Sequence, residues 1–169
     1  MKKLNKNGFT LVELIVVIAI IGVLASILVP SLIGYVRKSK LKTANANAKT
    51  AYSAVAAVEA DCETKGFPIV WNNPVGRWYC NIDRTSVTLN ANCSNYEEVI
   101  IYEVTRALNG NGNEAGEVAV NVANINGVDT FFCHWRKYND DVIFGQYPQA
   151  IKNIDQCGNR SNFGFFLNV

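Results

Sequence analysis

Thr10-Leu11-Val12-Glu13 sets a carboxylate at the head of an apolar run with no further charge from Leu14 to Val29. A charge held in hydrocarbon costs at least about 2.5 kcal/mol and generally marks a function. The spacing also has a local explanation. S/T-x-x-E ahead of an apolar run is a capping box, in which the hydroxyl and the carboxylate satisfy the unpaired amides of a helix start. The helix is therefore expected to begin near Phe9 and not at Met1. A cut between Gly8 and Phe9 would create an amine one helical turn from Glu13. A carboxylate close to a helix N-terminus and an ammonium is favourable. The ammonium of a neighbouring copy would serve equally.

The other residues with chemical potential offer less. His134 is the single histidine and adjoins Cys133 in a predicted strand. Adjacent strand residues point to opposite faces, so a nucleophile–base pair is not expected. Asp140-Asp141 reads as a solvated turn, and neither a metal site nor a cofactor is expected. Asn109-Gly110-Asn111-Gly112-Asn113 is a turn with no phosphate-loop pattern. Asn92-Cys93-Ser94 and Asn159-Arg160-Ser161 fit a glycosylation pattern that is common by chance. The aromatic residues Trp71, Trp78, Tyr79, Phe131 and Trp135 are expected in a core.

Five cysteines, Cys62, Cys80, Cys93, Cys133 and Cys157, all follow the apolar run, and none form a CxxC pair. The expectation is an exported region with one or two disulfides and a thiol left over. Cys62 lies on a helical stripe and is a candidate to bridge to Cys80, with Cys80–Cys93 the competing pair.

The elements that must position these residues follow from periodicity. Phe9 to Val29 is apolar for about 20 residues, or ~30 Å of helix, the thickness of a bilayer core. Beyond Pro30 the period persists: Leu41, Ala44, Ala48, Ala51, Val55, Val58 and Cys62 recur at steps of three and four. That is a narrow apolar stripe whose alanines permit close packing on a sheet. Gly66 followed by Pro68 predicts the stop, giving one helix from Phe9 to about Lys65, ~85 Å long. Gly22, Pro30 and Gly34 are its weak points, and a kink is expected near Pro30. The remainder reads as α+β. A helix is predicted over Ser94–Leu108, a strand over Val118–Val122 and a return strand over Thr130–Trp135 across an Asn126-Gly127 turn. Further strands are predicted over Val142–Tyr147 and Phe163–Leu167. The fold class expected is thus a long N-terminal helix packed on a small antiparallel-sheet head.

The formal charge is +2, and without Lys2, Lys3 and Lys6 the chain keeps 13 basic residues against 14 acidic ones. That balance gives no footprint for nucleic acid. Arg37, Lys38, Lys40 and Lys42 fit contact with lipid headgroups. A removable signal peptide is disfavoured by the length of the apolar run and the lack of an A-x-A site after it.

Lys6-Asn7-Gly8-Phe9-Thr10-Leu11-Val12-Glu13 resembles the processing motif of type IV prepilins and pseudopilins. The resemblance implies that residues 1–8 are a leader removed by a membrane prepilin peptidase, which also methylates the new N-terminal Phe9. It implies that residues 9–64 form the membrane anchor and filament core, and that residues 65–169 form the globular head. Glu13 matches the acid that pairs with the Phe9 ammonium of an adjacent subunit, and Gly22 and Pro30 match positions where the helix can locally melt in the fibre. The implied partners are other pilin subunits, the peptidase, the assembly platform and, before assembly, the membrane with the N-terminus cytoplasmic. The protein would then lie in an extracellular pilus, where adhesion, motility or DNA uptake belong to the fibre. The family also implies a Cys133–Cys157 bridge closing a C-terminal loop, although five cysteines depart from its common single bond. No enzymatic activity is expected. A pseudopilin or minor pilin of a type II secretion or competence system is the alternative. A signal-anchored, ligand-binding surface protein that never polymerises is the alternative of another class.

Overall fold

The capping box and the apolar period do produce one continuous helix. In the computed structural model, which describes residues 8–80, 86–109, 116–125, 127–165 and 167, helix α1 spans Leu11–Thr64 without interruption at Pro30. Its stop is the predicted glycine. Gly66 has φ +84°, its amide bonds to the Glu63 carbonyl at 2.9 Å, and the Phe67 amide reaches back to Cys62 at 3.0 Å. This pairing closes the last turn as a Schellman motif, and only glycine takes that φ without a Cβ penalty.

Two compact units divide the chain, one ending at Arg37 and the other beginning at Lys38. In the first, the helix exposes its residues along its length, with Ala25 alone half-buried among those described. The second contains the rest of α1 together with a four-stranded sheet. Strand β1 (Gly76–Tyr79) is followed by helix α2 (Tyr96–Asn109), then β2 (Glu117–Ile125), β3 (Val128–Arg136) and β4 (Gly145–Tyr147). The strands lie in the order β1-β2-β3-β4, and every pair is antiparallel.

The core sits on both faces of this sheet, divided by strand alternation. Val118, Val120, Phe131, Cys133 and Trp135 share a cluster with the α1 stripe and with Val99, Ile100, Val104 and Leu108 of α2. The buried residues of α1 are Leu41, Ala44, Ala48, Ala51, Val55, Val58 and Cys62, the set the periodicity selects. Tyr52 stacks on Phe131 with ring centroids 4.4 Å apart. A second cluster holds Leu41, Ala119, Phe144, Ile151, Cys157 and Phe163.

Three differences from the sequence expectation concern strands. Strand β1 was not expected. It is four residues long and exists through its pairing with β2, which local pattern does not reveal. The strand expected over Val142–Tyr147 is limited to Gly145–Tyr147. The strand expected over Phe163–Leu167 is absent among the described residues, where a 3-10 turn over Arg160–Asn162 leads into bends. Phe163 is a core plug, and Gly164 at φ +94° turns the chain. The β2–β3 hairpin has the expected two-residue turn: Ile125 pairs with Val128, and Gly127 takes φ +85°. Its other turn residue, Asn126, lies outside the described residues, as do Gly110–Asn113 of the glycine-asparagine turn and Lys2, Lys3 and Lys6 of the basic start.

Candidate functional site

The capping box at Thr10 forms in both directions. The Thr10 amide donates to Glu13 Oε2 at 2.9 Å, the Thr10 hydroxyl donates to the same oxygen at 2.6 Å, and the Glu13 amide donates to Thr10 Oγ1 at 3.2 Å. The carboxylate is therefore folded back over the first turn, beside the uncompensated amides of the helix start. Gly8 and Phe9 precede the helix in extended or irregular backbone, and both are exposed. The Gly8–Phe9 peptide bond is thus open to an enzyme, and an amine created at Phe9 would begin one residue before the cap.

Behind the box runs the apolar surface. Large hydrophobic side chains from Phe9 to Val36 stand 43–77% exposed. None of the most apolar 18-residue window is buried, and the helix is long and apolar enough to cross a membrane. Fully burying a Val, Leu or Ile is worth roughly 1.5–3 kcal/mol. A run of this length in water is therefore unfavourable by tens of kcal/mol, on the order of a domain's whole stability or more. An apolar surround would remove that cost. Gly22, Pro30 and Gly34 lie on this segment with open space around the glycines, and the Ser26 hydroxyl donates to the Val23 carbonyl at 2.7 Å, inside its own helix. A side chain that satisfies itself in this way stays compatible with an apolar surround.

The comparisons with known proteins agree with this geometry. Residues 3–29 match the family model described as the prokaryotic N-terminal methylation motif. The type IV narrow pilus major component PilA5 of Thermus thermophilus is 32% identical over 102 residues, covering 55% of this chain and 86% of that protein. The chain belongs to the type IV pilin family. The type IV major pilin protein PilA of Myxococcus xanthus is 49% identical over 50 residues, which cover 30% of this pilin but only 23% of that relative. No solved structure gives a significant match to the pilin.

The cysteines do not adopt the expected pairings. All five are present as buried thiols. Cys133 lies in the cluster facing α1, whereas Cys157 lies in the second cluster and donates to the Phe144 carbonyl at 3.5 Å. A sheet thus separates the two residues expected to close a C-terminal loop. Cys62 does lie on the buried stripe, and Cys93 is a neighbour of its thiol. No local signal marks Cys93 as that neighbour, because the contact depends on how the loop before α2 returns to α1.

His134 and Cys133 do face opposite sides of the sheet. His134 Nδ1 accepts the Gly164 amide at 2.9 Å, so Nε2 carries the proton toward Gln146 Oε1 at 2.8 Å. Gln146 Nε2 in turn donates to the Leu167 carbonyl at 2.7 Å, and the Leu167 amide donates to Gln146 Oε1 at 2.7 Å. Burial pushes the imidazole down to about 4, against a partial opposing effect of Gln146. The sole histidine is thereby occupied in tying the C-terminal segment to the sheet. Sequence reasoning set catalysis aside at this residue, and only the network shows its structural work.

Proposed function

We propose that this pilin is a structural subunit of a type IV pilus, cleaved after Gly8, N-methylated on Phe9 and polymerised through its N-terminal helix. The observation that carries the proposal is the junction of an exposed Gly8–Phe9 bond, a capped Glu13 and a fully uncovered apolar helix. Each part has a role that the others require. The apolar helix holds the precursor in the membrane, with the N-terminus cytoplasmic. Cleavage at Gly8 removes the basic leader and leaves the anchor intact, since the cut precedes it. The new ammonium and Glu13 then form a charge pair whose partners come from adjacent subunits and set their axial register. Charge-assisted contacts of this kind gain strength as water is excluded by packed helices. Gly22 and Pro30 provide the positions where the helix can loosen as subunits pack.

The names of both relatives, each a major pilus component, favour a filament-building subunit over a pseudopilin. The buried, depressed His134 and the opposed placement of Cys133 support a structural role over an enzymatic one. The deciding experiment is mass spectrometry of the N-terminal peptide from membrane and sheared surface fractions. A chain beginning at N-methyl-Phe9 in abundant sheared filaments is the expected result. A chain still carrying Met1 to Gly8 in producing cells would indicate a plain signal anchor.

A further inference from the structure

Cys62 and Cys93 are buried to 0% and 4% exposure, at the C-terminal end of α1 and in the turn that enters α2. Their side chains are neighbours, and Cys93 is among the groups that act on the Cys62 thiol. Two features hold these segments together independently of the sulfurs. Trp71 Nε1 donates to Glu59 Oε1 at 2.5 Å, one helical turn before Cys62, and the Trp71 ring meets Tyr96 edge-on at 6.3 Å, three residues after Cys93. Cys93 itself is fixed at φ +52°, its amide bonded to the Asn90 carbonyl at 3.1 Å and its carbonyl to the Tyr96 amide at 3.2 Å. On the other side, the Schellman closure holds the Cys62 carbonyl through the Phe67 amide at 3.0 Å. Both backbones are thus fixed, and the two buried side chains lie on segments that Trp71 brings together.

We propose that Cys62 and Cys93 are a disulfide pair, which staples the end of the N-terminal helix to the head. The proposal draws on the functional reading only for the oxidising location of the head. Chemically, one thiolate of the pair attacks a disulfide-bearing oxidant, either a small-molecule disulfide or a dithiol oxidoreductase. The second thiolate then attacks the mixed disulfide, forming the Cys62–Cys93 bond and releasing the oxidant as two thiols, which take up the two protons. Because the pair is buried, exchange takes place as the head folds and not after it. Burial pushes the Cys62 thiol up to about 12, with Cys93 adding to the rise, so in the reduced folded chain Cys62 is a poor nucleophile. The bond closes a loop of about 30 residues, long enough for substantial restriction of the unfolded chain. That loop carries β1, whose four residues form an edge of the sheet.

The test uses the full chain purified in detergent, unfolded, and refolded in mixed oxidised and reduced glutathione. Alkylation and peptide mass spectrometry should show the Cys62 peptide joined to the Cys93 peptide. Alkylated Cys62 and Cys93 at an oxidising poise, or either one joined to another cysteine, would overturn the proposal. Thermal melts give a second measure that does not depend on a variant folding well. Wild-type protein reduced while unfolded and refolded in dithiothreitol should melt on the order of 10 °C below the oxidised protein, and Cys62→Ala should show no such difference. An unchanged wild-type Tm would equally defeat the pairing. These measurements are indifferent to cleavage at Gly8 and to filament formation, so either reading can fail without the other.

Discussion

Single residues carry the charge chemistry of this pilin. Glu13→Gln keeps an acceptor for both Thr10 contacts and removes the charge. Processing at Gly8 should be unchanged, while filament yield in sheared fractions should fall by roughly tenfold or more, the equivalent of one charge-assisted contact. Normal yield would remove the ion pair from the account of assembly. At His134 the linkage runs through acid. The unfolded chain takes up a proton near 6.5, and the folded chain declines it until about 4. The contribution is complete above the unfolded value and is lost as pH falls through this window, by about 3 kcal/mol. Urea melts of wild type and His134→Gln across the same range should diverge by that amount, and parallel profiles would show the network to be indifferent to protonation. At Gly145, an added Cβ would overlap the Ala44 carbonyl group and the Asn45 nitrogen. The clash is with backbone, so no rotamer relieves it, and Gly145→Ala should cost about 3 kcal/mol or more in a thermal melt. Glu13 was legible in the sequence because its cap partner is three residues away. The demand for glycine at 145 was not, because its cause lies about a hundred residues upstream on α1.

At the scale of elements, α1 shows how far periodicity reaches. The stripe of alanines at Ala44, Ala48 and Ala51 lets the helix approach the sheet closely enough for Asn45 to donate to the Ile151 carbonyl at 2.7 Å and accept the Gln146 amide at 3.2 Å. Enlarging the stripe should separate them. Ala48→Leu is expected to destabilise the head by about 1–3 kcal/mol, measured as a fall in denaturation midpoint, and an unchanged midpoint would mean that the packing is loose. The helix and its stripe were read correctly because each successive position is tied to its neighbours by backbone hydrogen bonds. Strands rest on distant partners. Thus β1 escaped notice with only Gly-Arg-Trp-Tyr to mark it, and Phe163–Leu167 resembled a strand while serving as a plug and a tether. Between β2 and β3, Arg136 Nε donates to Glu117 Oε2 at 2.5 Å, and its guanidinium lies over the Phe163 ring at 4.2 Å. The same arginine therefore holds the register of the hairpin and the seat of the C-terminal plug.

Among the described residues, those of the core lie entirely within the unit that begins at Lys38. The chain from Lys38 onward should therefore fold as a soluble monomer by sedimentation, with the circular dichroism of an α+β head. The full chain should need detergent or lipid. Aggregation of the shortened chain would show that the first unit contributes to the fold of the second. Under the proposed function, in which the apolar helix exchanges lipid for other copies, the head's stability would not depend on which of the two surrounds the helix.

The sequence by itself determined the N-terminal half of the story. The cap, charge and apolar span are properties of residues within a few positions of one another, and the stripe on α1 follows from a fixed helical period. Tertiary structure alone decided that Cys62 meets Cys93, that Cys133 and Cys157 are divided by the sheet, that His134 anchors the C-terminal segment and that residue 145 must be glycine. Each of these depends on the register of one strand against another or on the seating of the sheet against α1. Such registers are set by the joint packing of residues far apart in the chain, which no local pattern encodes.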